Sequence, residues 1–268
     1  MLRFSANIST LFTELPVLQR PRAAADAGFR AIEMQSPYEV PLRELAAARE
    51  RAGVEFVLIN MPAGDPSAGE LGLACIPGRQ EEFAQALRQA ITTAQGLGCR
   101  RVHALAGNLP LGKSREHCRD VLVENLRLAA ARLDDVGIQL LLEPLNAIDH
   151  PRFLVTRIGE GDALLAAVDH RNLALQYDVY HRRAAGEAWL EDLAARVGRI
   201  GHIQFSDYPG RHEPGSGELD FLQFFELIGR LPYSGWTGAE YRPSGATAES
   251  LRWFDRIAHR CAAALRDT

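Results

Sequence analysis

Eight short apolar runs recur along the chain, and the segments between them repeat their hydrophobic positions every three or four residues. The runs are Phe4 to Ile8, Ala31 to Met34, Glu55 to Asn60, Arg101 to Ala106, Gln139 to Glu143, Leu173 to Tyr177, Ile200 to Phe205 and Trp236 to Tyr241. Short bounded runs of this kind predict strands, and the longer periodic segments predict helices. Glu81 to Leu97 sets Phe83, Leu87, Ala90, Ile91 and Ala94 at helical spacing, and Arg119 to Leu133 does the same with Val123, Leu126, Ala130 and Leu133. Pro41 to Ala52 opens on a proline, which suits a first helical turn. Pro21 falls inside the first helical segment and is expected to kink it or delay its start. Ala246 to Leu265 reads as a closing helix. Gly53, Gly98 and Gly137 each stand just before a strand-like run, where a helix ends in a left-handed residue that glycine adopts without strain.

Strands alternating with helices imply a parallel sheet with right-handed crossovers. Eight such units predict a closed (β/α)8 TIM barrel, a single domain over residues 1–268. An open doubly wound sheet is the alternative, but no GxGxxG follows the first strand, which argues against its dinucleotide-binding version. Two long loops rich in Gly and Pro, Met61 to Gly78 and Ser206 to Leu219, follow strands at the carboxyl end, where barrels build their sites.

Composition narrows the chemistry. The 268 residues are 47% hydrophobic and 24% charged, with a net charge of −4, so nothing drives the chain toward nucleic acid or an anionic membrane. The four cysteines are scattered without a CxxC pair, the first residues lack a secretory pattern, and no apolar run approaches the roughly 18 residues of a membrane span. A soluble cytoplasmic protein is expected. Lys113 is the one lysine, which leaves a single candidate for Schiff-base chemistry.

The late strands end in polar groups: Glu143, Asp178, Gln204 and Glu240, spaced 35, 26 and 36 residues apart, about one βα unit each. Four successive strands would bring these groups to one mouth. Three carboxylates there would repel, and a divalent cation would resolve the cost. Oxygen donors suit Mg2+ or Mn2+ rather than Zn2+. Each position also has an ordinary reading. Asp178 is placed to cap the next helix, Gln204 to bond backbone, and Glu240 to pair with Arg242 or Arg211. His181, three residues past Asp178, is a candidate for a substrate oxygen. Arg211 and Glu213 share a loop over the mouth, and Arg211 is a candidate fork for a substrate carboxylate. His103 and Asn60 are further substrate-binding candidates.

These residues sit in recognisable stretches. Asn60-Met-Pro-Ala-Gly-Asp65, Gly72-Leu-Ala-Cys-Ile-Pro-Gly-Arg79, Leu142-Glu-Pro-Leu-Asn146, Asp178-Val-Tyr-His181, Gln204-Phe-Ser-Asp207, Glu213-Pro-Gly-Ser-Gly-Glu218 and Gly238-Ala-Glu-Tyr241 together resemble the hydroxypyruvate isomerase family, in order and over nearly the whole chain. That family sits among the xylose-isomerase-like barrels and includes the similar 2-oxotetronate isomerases. The resemblance implies a metal held by Glu143, Asp178, Gln204 and Glu240, with Glu143 and Glu240 also the paired acid and base. It implies a small 2-oxo acid as substrate: hydroxypyruvate, interconverted with tartronate semialdehyde through an enediolate, or 2-oxotetronate. Gln204, where sugar 3-epimerases carry His, favours this branch. Metal-dependent barrel endonucleases are a more distant alternative, needing more His and Asp ligands and a basic groove. The chain departs from the family at Pro66, Leu71, Arg182 and Arg183. Leu71 removes a cation from the third-strand loop, and Arg183 offers one elsewhere. The sequence leaves the oligomeric state open, a homo-oligomer included.

Overall fold

The structure, a computed structural model, describes residues 2–254. Eight parallel strands close into a barrel in sequence order: β1 Phe4–Asn7, β2 Ala31–Met34, β3 Glu55–Asn60, β4 Arg101–His103, β5 Gln139–Leu142, β6 Leu173–Asp178, β7 Ile200–Phe205 and β8 Thr237–Ala239. Between them lie α1 Arg20–Asp26, α2 Leu42–Ala52, α3 Gln80–Leu97, α4 Arg115–Asp134, α5 Ile158–Val168, α6 Val179–Ala184, α7 Trp189–Arg196 and α8 Phe221–Arg230. After β8 comes the short α9, Thr247–Ser250, and the rest of the closing helix expected to Leu265 lies outside the described residues. Among the described residues no helix is long and apolar enough to cross a membrane.

Pro21 delays rather than kinks: a 3-10 turn, Val17–Gln19, precedes α1, and the proline occupies the first turn, where its missing N–H costs nothing. Gly53 and Gly98 end α2 and α3 at φ 69° and 65°, as their places in the sequence predict.

The apolar core lies mainly outside the barrel, between strands and helices, and includes Ile32, Phe56, Val102, Leu140 and Leu175 against Phe83, Leu87, Leu122 and Leu126. Inside the barrel are two smaller apolar clusters, Ala31 with Val57 and Trp236, and Leu58 with Leu141 and Ala174. Other interior positions are polar. Ser5, Asn7, Glu33, Gln176, His202 and Gln204 are all buried on β1, β2, β6 and β7. Side chains on a strand alternate between faces, so each of these points opposite to its apolar neighbours.

Candidate active site

Glu143 follows β5, Asp178 ends β6, Gln204 lies near the end of β7 and Glu240 follows β8. Asp178 and Gln204 are register partners across β6 and β7, so their side chains leave the sheet at the same level. All four are at most 5% exposed, so three carboxylates stand almost without water.

Hydrogen bonds orient these groups. Gln204 donates its amide to Glu33 Oε1 at 2.6 Å, and a carboxylate can only accept. Its oxygen is thereby turned the other way, where it accepts from Gln176 Nε2 at 2.6 Å. The same Gln176 nitrogen donates to Glu143 Oε2 at 2.8 Å, bridging the two groups. Asp178 does cap the next helix, through Oδ1 and the Tyr180 N–H at 2.9 Å, which leaves Oδ2 for the site. Gln204 contacts side chains rather than backbone, and Glu240 pairs with Arg211 rather than Arg242. Glu240 accepts from Asn7 at 2.8 Å, Gln35 at 2.6 Å and Arg211 at 2.8 Å. Arg211 also reaches Asp178 Oδ2 at 3.3 Å, so its guanidinium bridges two of the three carboxylates. Its backbone is left-handed, φ 59°, an unfavourable setting for an arginine that its position between the carboxylates helps to maintain.

Burial dominates the electrostatics. It raises Glu143 well above the usual carboxylate range, helped by the charges of Asp178 and Glu240. It raises Asp178 against the pull of Arg211. It lifts Glu240 to about 7, again opposed by Arg211.

Glu143, Asp178 and His181 each offer an atom within 4.8 Å of the others, a group able to hold a metal. His181 has another assignment. Its Nδ1 accepts the backbone N–H of Asn146 at 3.1 Å, so the neutral ring carries its proton on Nε2. That nitrogen lies 3.8 Å from Asp178 Oδ2 and 4.0 Å from Glu143 Oε1, and offers them an N–H rather than a lone pair. Glu143 Oε1 is buried and has no hydrogen-bond partner among the described residues. A free carboxylate oxygen, a turned amide oxygen and two further carboxylates fit a hard divalent cation.

Above this floor opens a cavity of 560 Å3, lined among others by Asn60, His103, Glu143, His181, Arg211 and Glu240. Asp178 and Gln204 lie buried beneath. His103 contacts Asn60 Oδ1 at 3.3 Å. Glu213 does not line this cavity: its carboxylate accepts from Ser244, from the hydroxyl at 2.5 Å and the backbone N–H at 3.0 Å. Leu71 lines the cavity, so the third-strand loop presents an apolar side chain there. Arg183 does not reach the cavity; it pairs with Glu218. Arg182 is buried and pairs with Glu187 at 2.5 Å.

Several residues at the site are not evident from strand ends alone. Gln176, His202 and Gly238 stand two positions before Asp178, Gln204 and Glu240. The two-residue period of a strand is the available signal, since it puts them on the same face as those three residues. His202 Nε2 lies 2.7 Å from Glu33, and a Cβ on Gly238 would come within 2.4 Å of the same carboxylate. Asp207, the last residue of the Gln204-Phe-Ser-Asp207 stretch, has a structural role that its place in the sequence does not show. Its carboxylate accepts four backbone N–H groups, from Tyr208, Gly215, Gly217 and Leu219 at 2.8 to 3.1 Å, and so shapes the loop carrying Arg211.

Comparison with known proteins agrees with this architecture. The family model described as xylose isomerase-like TIM barrel matches residues 21–257. The chain is 42% identical over 255 residues to the hydroxypyruvate isomerase of Escherichia coli K12, covering 95% of this chain and 99% of that protein. It is 39% identical over 253 residues to the 2-oxo-tetronate isomerase of Cupriavidus necator, covering 94% and 97%. A crystal structure described as an AP endonuclease, family 2, from Brucella melitensis superposes with a TM-score of 0.93 at 38% identity, covering 96% of this chain and 99% of that one.

Proposed function

Because this chain belongs to the xylose isomerase-like TIM-barrel family and is an isomerase of the hydroxypyruvate isomerase kind, we propose that it interconverts hydroxypyruvate and 2-hydroxy-3-oxopropanoate (tartronate semialdehyde). The observation that carries this reading is the pair of buried glutamates, Glu143 and Glu240, on one 560 Å3 cavity, both raised by burial, Glu240 to about 7. A carboxylate near neutrality exchanges protons with carbon acids far better than an ordinary one, because it binds and releases a proton at working pH.

One glutamate takes a proton from C3 of hydroxypyruvate, leaving an enediolate. The other delivers a proton to C2. The hydroxyl proton passes in the same sense, from the oxygen on C3 to the oxygen on C2, so the product is an isomer. Glu143, Asp178, Gln204 and Glu240 would hold a divalent cation, Mg2+ or Mn2+. Bound there, it would supply Lewis-acid stabilisation of the negative charge that develops on the two oxygens. His181 offers its Nε2–H to a substrate oxygen, and Asn60 and His103 line the cavity beside it. Arg211 offsets the charge of Asp178 and Glu240. Glu213 acts at a distance, by holding Ser244.

Isomerisation of 2-oxotetronate is the second reading, supported by the 39% identical relative. Purified protein would be stripped with a chelator, resupplied with Mg2+ or Mn2+, and assayed on both acids. Turnover of hydroxypyruvate that returns with metal is expected. Turnover of 2-oxotetronate alone would select the second reading, and turnover of neither would overturn both. The description of the Brucella structure would imply phosphodiester hydrolysis instead. A net charge of −4 and a carboxylate floor oppose a polyanion, and retention on heparin at low salt would reverse that judgement.

A further inference from the structure

A 2-oxo acid brings a permanent carboxylate, and a cavity floored by carboxylates must present a cation to receive it. The candidates can be followed one by one. Arg79, at the end of the third-strand loop, is held by Glu70 and Glu82. Arg183 is held by Glu218 and stacks toward Tyr208, 5.3 Å from its ring centre. Arg182 is buried against Glu187 and the Pro144 carbonyl. Arg211 lines the cavity, but Asp178 and Glu240 share its guanidinium. Leu71 offers no charge.

Arg242 remains. It lines the same cavity, and its guanidinium makes no hydrogen bond or ion pair among the described residues. An exposed arginine is usually a solvated surface group. Here the backbone beneath it is fixed. The Arg242 N–H donates to the Arg211 carbonyl at 2.8 Å, and the Arg242 carbonyl lies 2.7 Å from His212 Nδ1. These bonds tie the end of β8 to the loop after β7. The neighbouring Tyr241 is buried and bonded to Ser250 and Trp253. The side chain therefore leaves from a fixed base two residues beyond Glu240, and both side chains line the one cavity.

We propose that Arg242, rather than Arg211, is the residue that receives the substrate's carboxylate. This rests on the reading of the substrate as a small 2-oxo acid. The planar fork of a guanidinium matches a carboxylate with two parallel hydrogen bonds, and the vacant fork at the rim would hold that end of the substrate outermost. The reacting carbons then lie inward, toward Glu143 and Glu240. Arg242 is in this sense a specificity-determining residue that sets which end of the acid enters first.

The test compares wild type, Arg242→Met and Arg242→Lys, all loaded with Mg2+ or Mn2+, with folding checked by circular dichroism. Two readouts are taken: steady-state turnover of hydroxypyruvate, and calorimetric binding of hydroxypyruvate and of dihydroxyacetone, its uncharged counterpart. Arg242→Met should raise the KM and Kd for hydroxypyruvate about ten- to a hundredfold while kcat changes much less. Binding of dihydroxyacetone should not change, and Arg242→Lys should recover part of the loss. An unchanged Kd for hydroxypyruvate in Arg242→Met overturns the assignment. So does equal weakening of both ligands, which would mark a structural role. If wild type binds hydroxypyruvate without converting it, the proposed reaction fails, and Arg242 is still judged by the Kd comparison. If wild type does not bind it, both proposals fall.

Discussion

Glu33 holds Gln204 and His202 at once, through its two oxygens, at 2.6 and 2.7 Å. Ser5 at 3.1 Å and Asn7 at 3.2 Å complete its partners. Through Gln204 this buried carboxylate decides which end of an amide faces the floor. Glu33→Ala should therefore weaken Mg2+ or Mn2+ binding about ten- to a hundredfold, as loss of a residue orienting a ligand commonly does. Metal titration by calorimetry checks this, and an unchanged affinity would show that Gln204 needs no such support.

Glu240→Gln should leave the fold intact and lower kcat about a hundred- to ten-thousandfold, the usual range for loss of a proton carrier. The amide is nearly isosteric and can still meet Asn7, Gln35 and Arg211, although not all with the same polarity. A variant with wild-type kcat would remove Glu240 from the proton-transfer pair.

Gly238→Ala would place a methyl group 2.4 Å from Glu33 Oε2 and 2.7 Å from Oε1. The carboxylate would have to move, and overpacking of this kind costs about 1–3 kcal/mol. A lower urea midpoint, with weaker metal binding, is expected. A variant as stable as wild type and equal in metal affinity would show that Glu33 has room to spare.

The raised carboxylates also give a pH dependence with a definite sign. Glu240, lifted by burial to about 7, keeps a proton in the native state that the unfolded chain releases above its ordinary value of 4.5. Between those values the native state binds more protons, so this group's contribution to the stability of the metal-free protein falls as pH rises. Glu143 and Asp178 are raised by the same burial and act in the same direction. Glu70, lowered mainly by its hydrogen bond from Arg79, works the other way, but below the ordinary carboxylate range. A cation competes with the site's protons. Metal affinity should climb by about tenfold per pH unit for each proton displaced, with the part due to Glu240 levelling off above about pH 7. Calorimetric titrations from about pH 5 to about pH 8 would show it, and a flat affinity would mean that the carboxylates are already ionised in the metal-free protein.

The barrel was legible because its signal is periodic. β2, β3 and β7 have the bounds that the apolar runs predict. β4 and β8 are shorter than their runs. Ala104 and Ala106 are buried beyond the end of β4, as Trp236 and Tyr241 are on either side of β8, so hydrophobicity outlasts regular pairing there. The strand-end groups Glu143, Asp178, Gln204 and Glu240 were legible because a polar residue closing an apolar run stands out. Glu33, Gln176 and His202 lie within strands; the strand period puts Gln176 and His202 on the face of Asp178 and Gln204, but only pairing between distant strands gives all three their partners. Arg211 shows a further limit. Sequence places it at the mouth, but which carboxylates engage it depends on a left-handed turn that no local pattern specifies.

Asp207 lies three residues beyond Gln204 and gathers the loop that carries Arg211. Arg211 in turn is tied through its carbonyl to Arg242. One strand end thus serves as the mount for an inner oxygen donor and, through a single braced loop, for two outer positive charges. In the proposed reading a substitution at Asp207 would therefore shift both guanidinium groups at once, and with them the span between floor and rim.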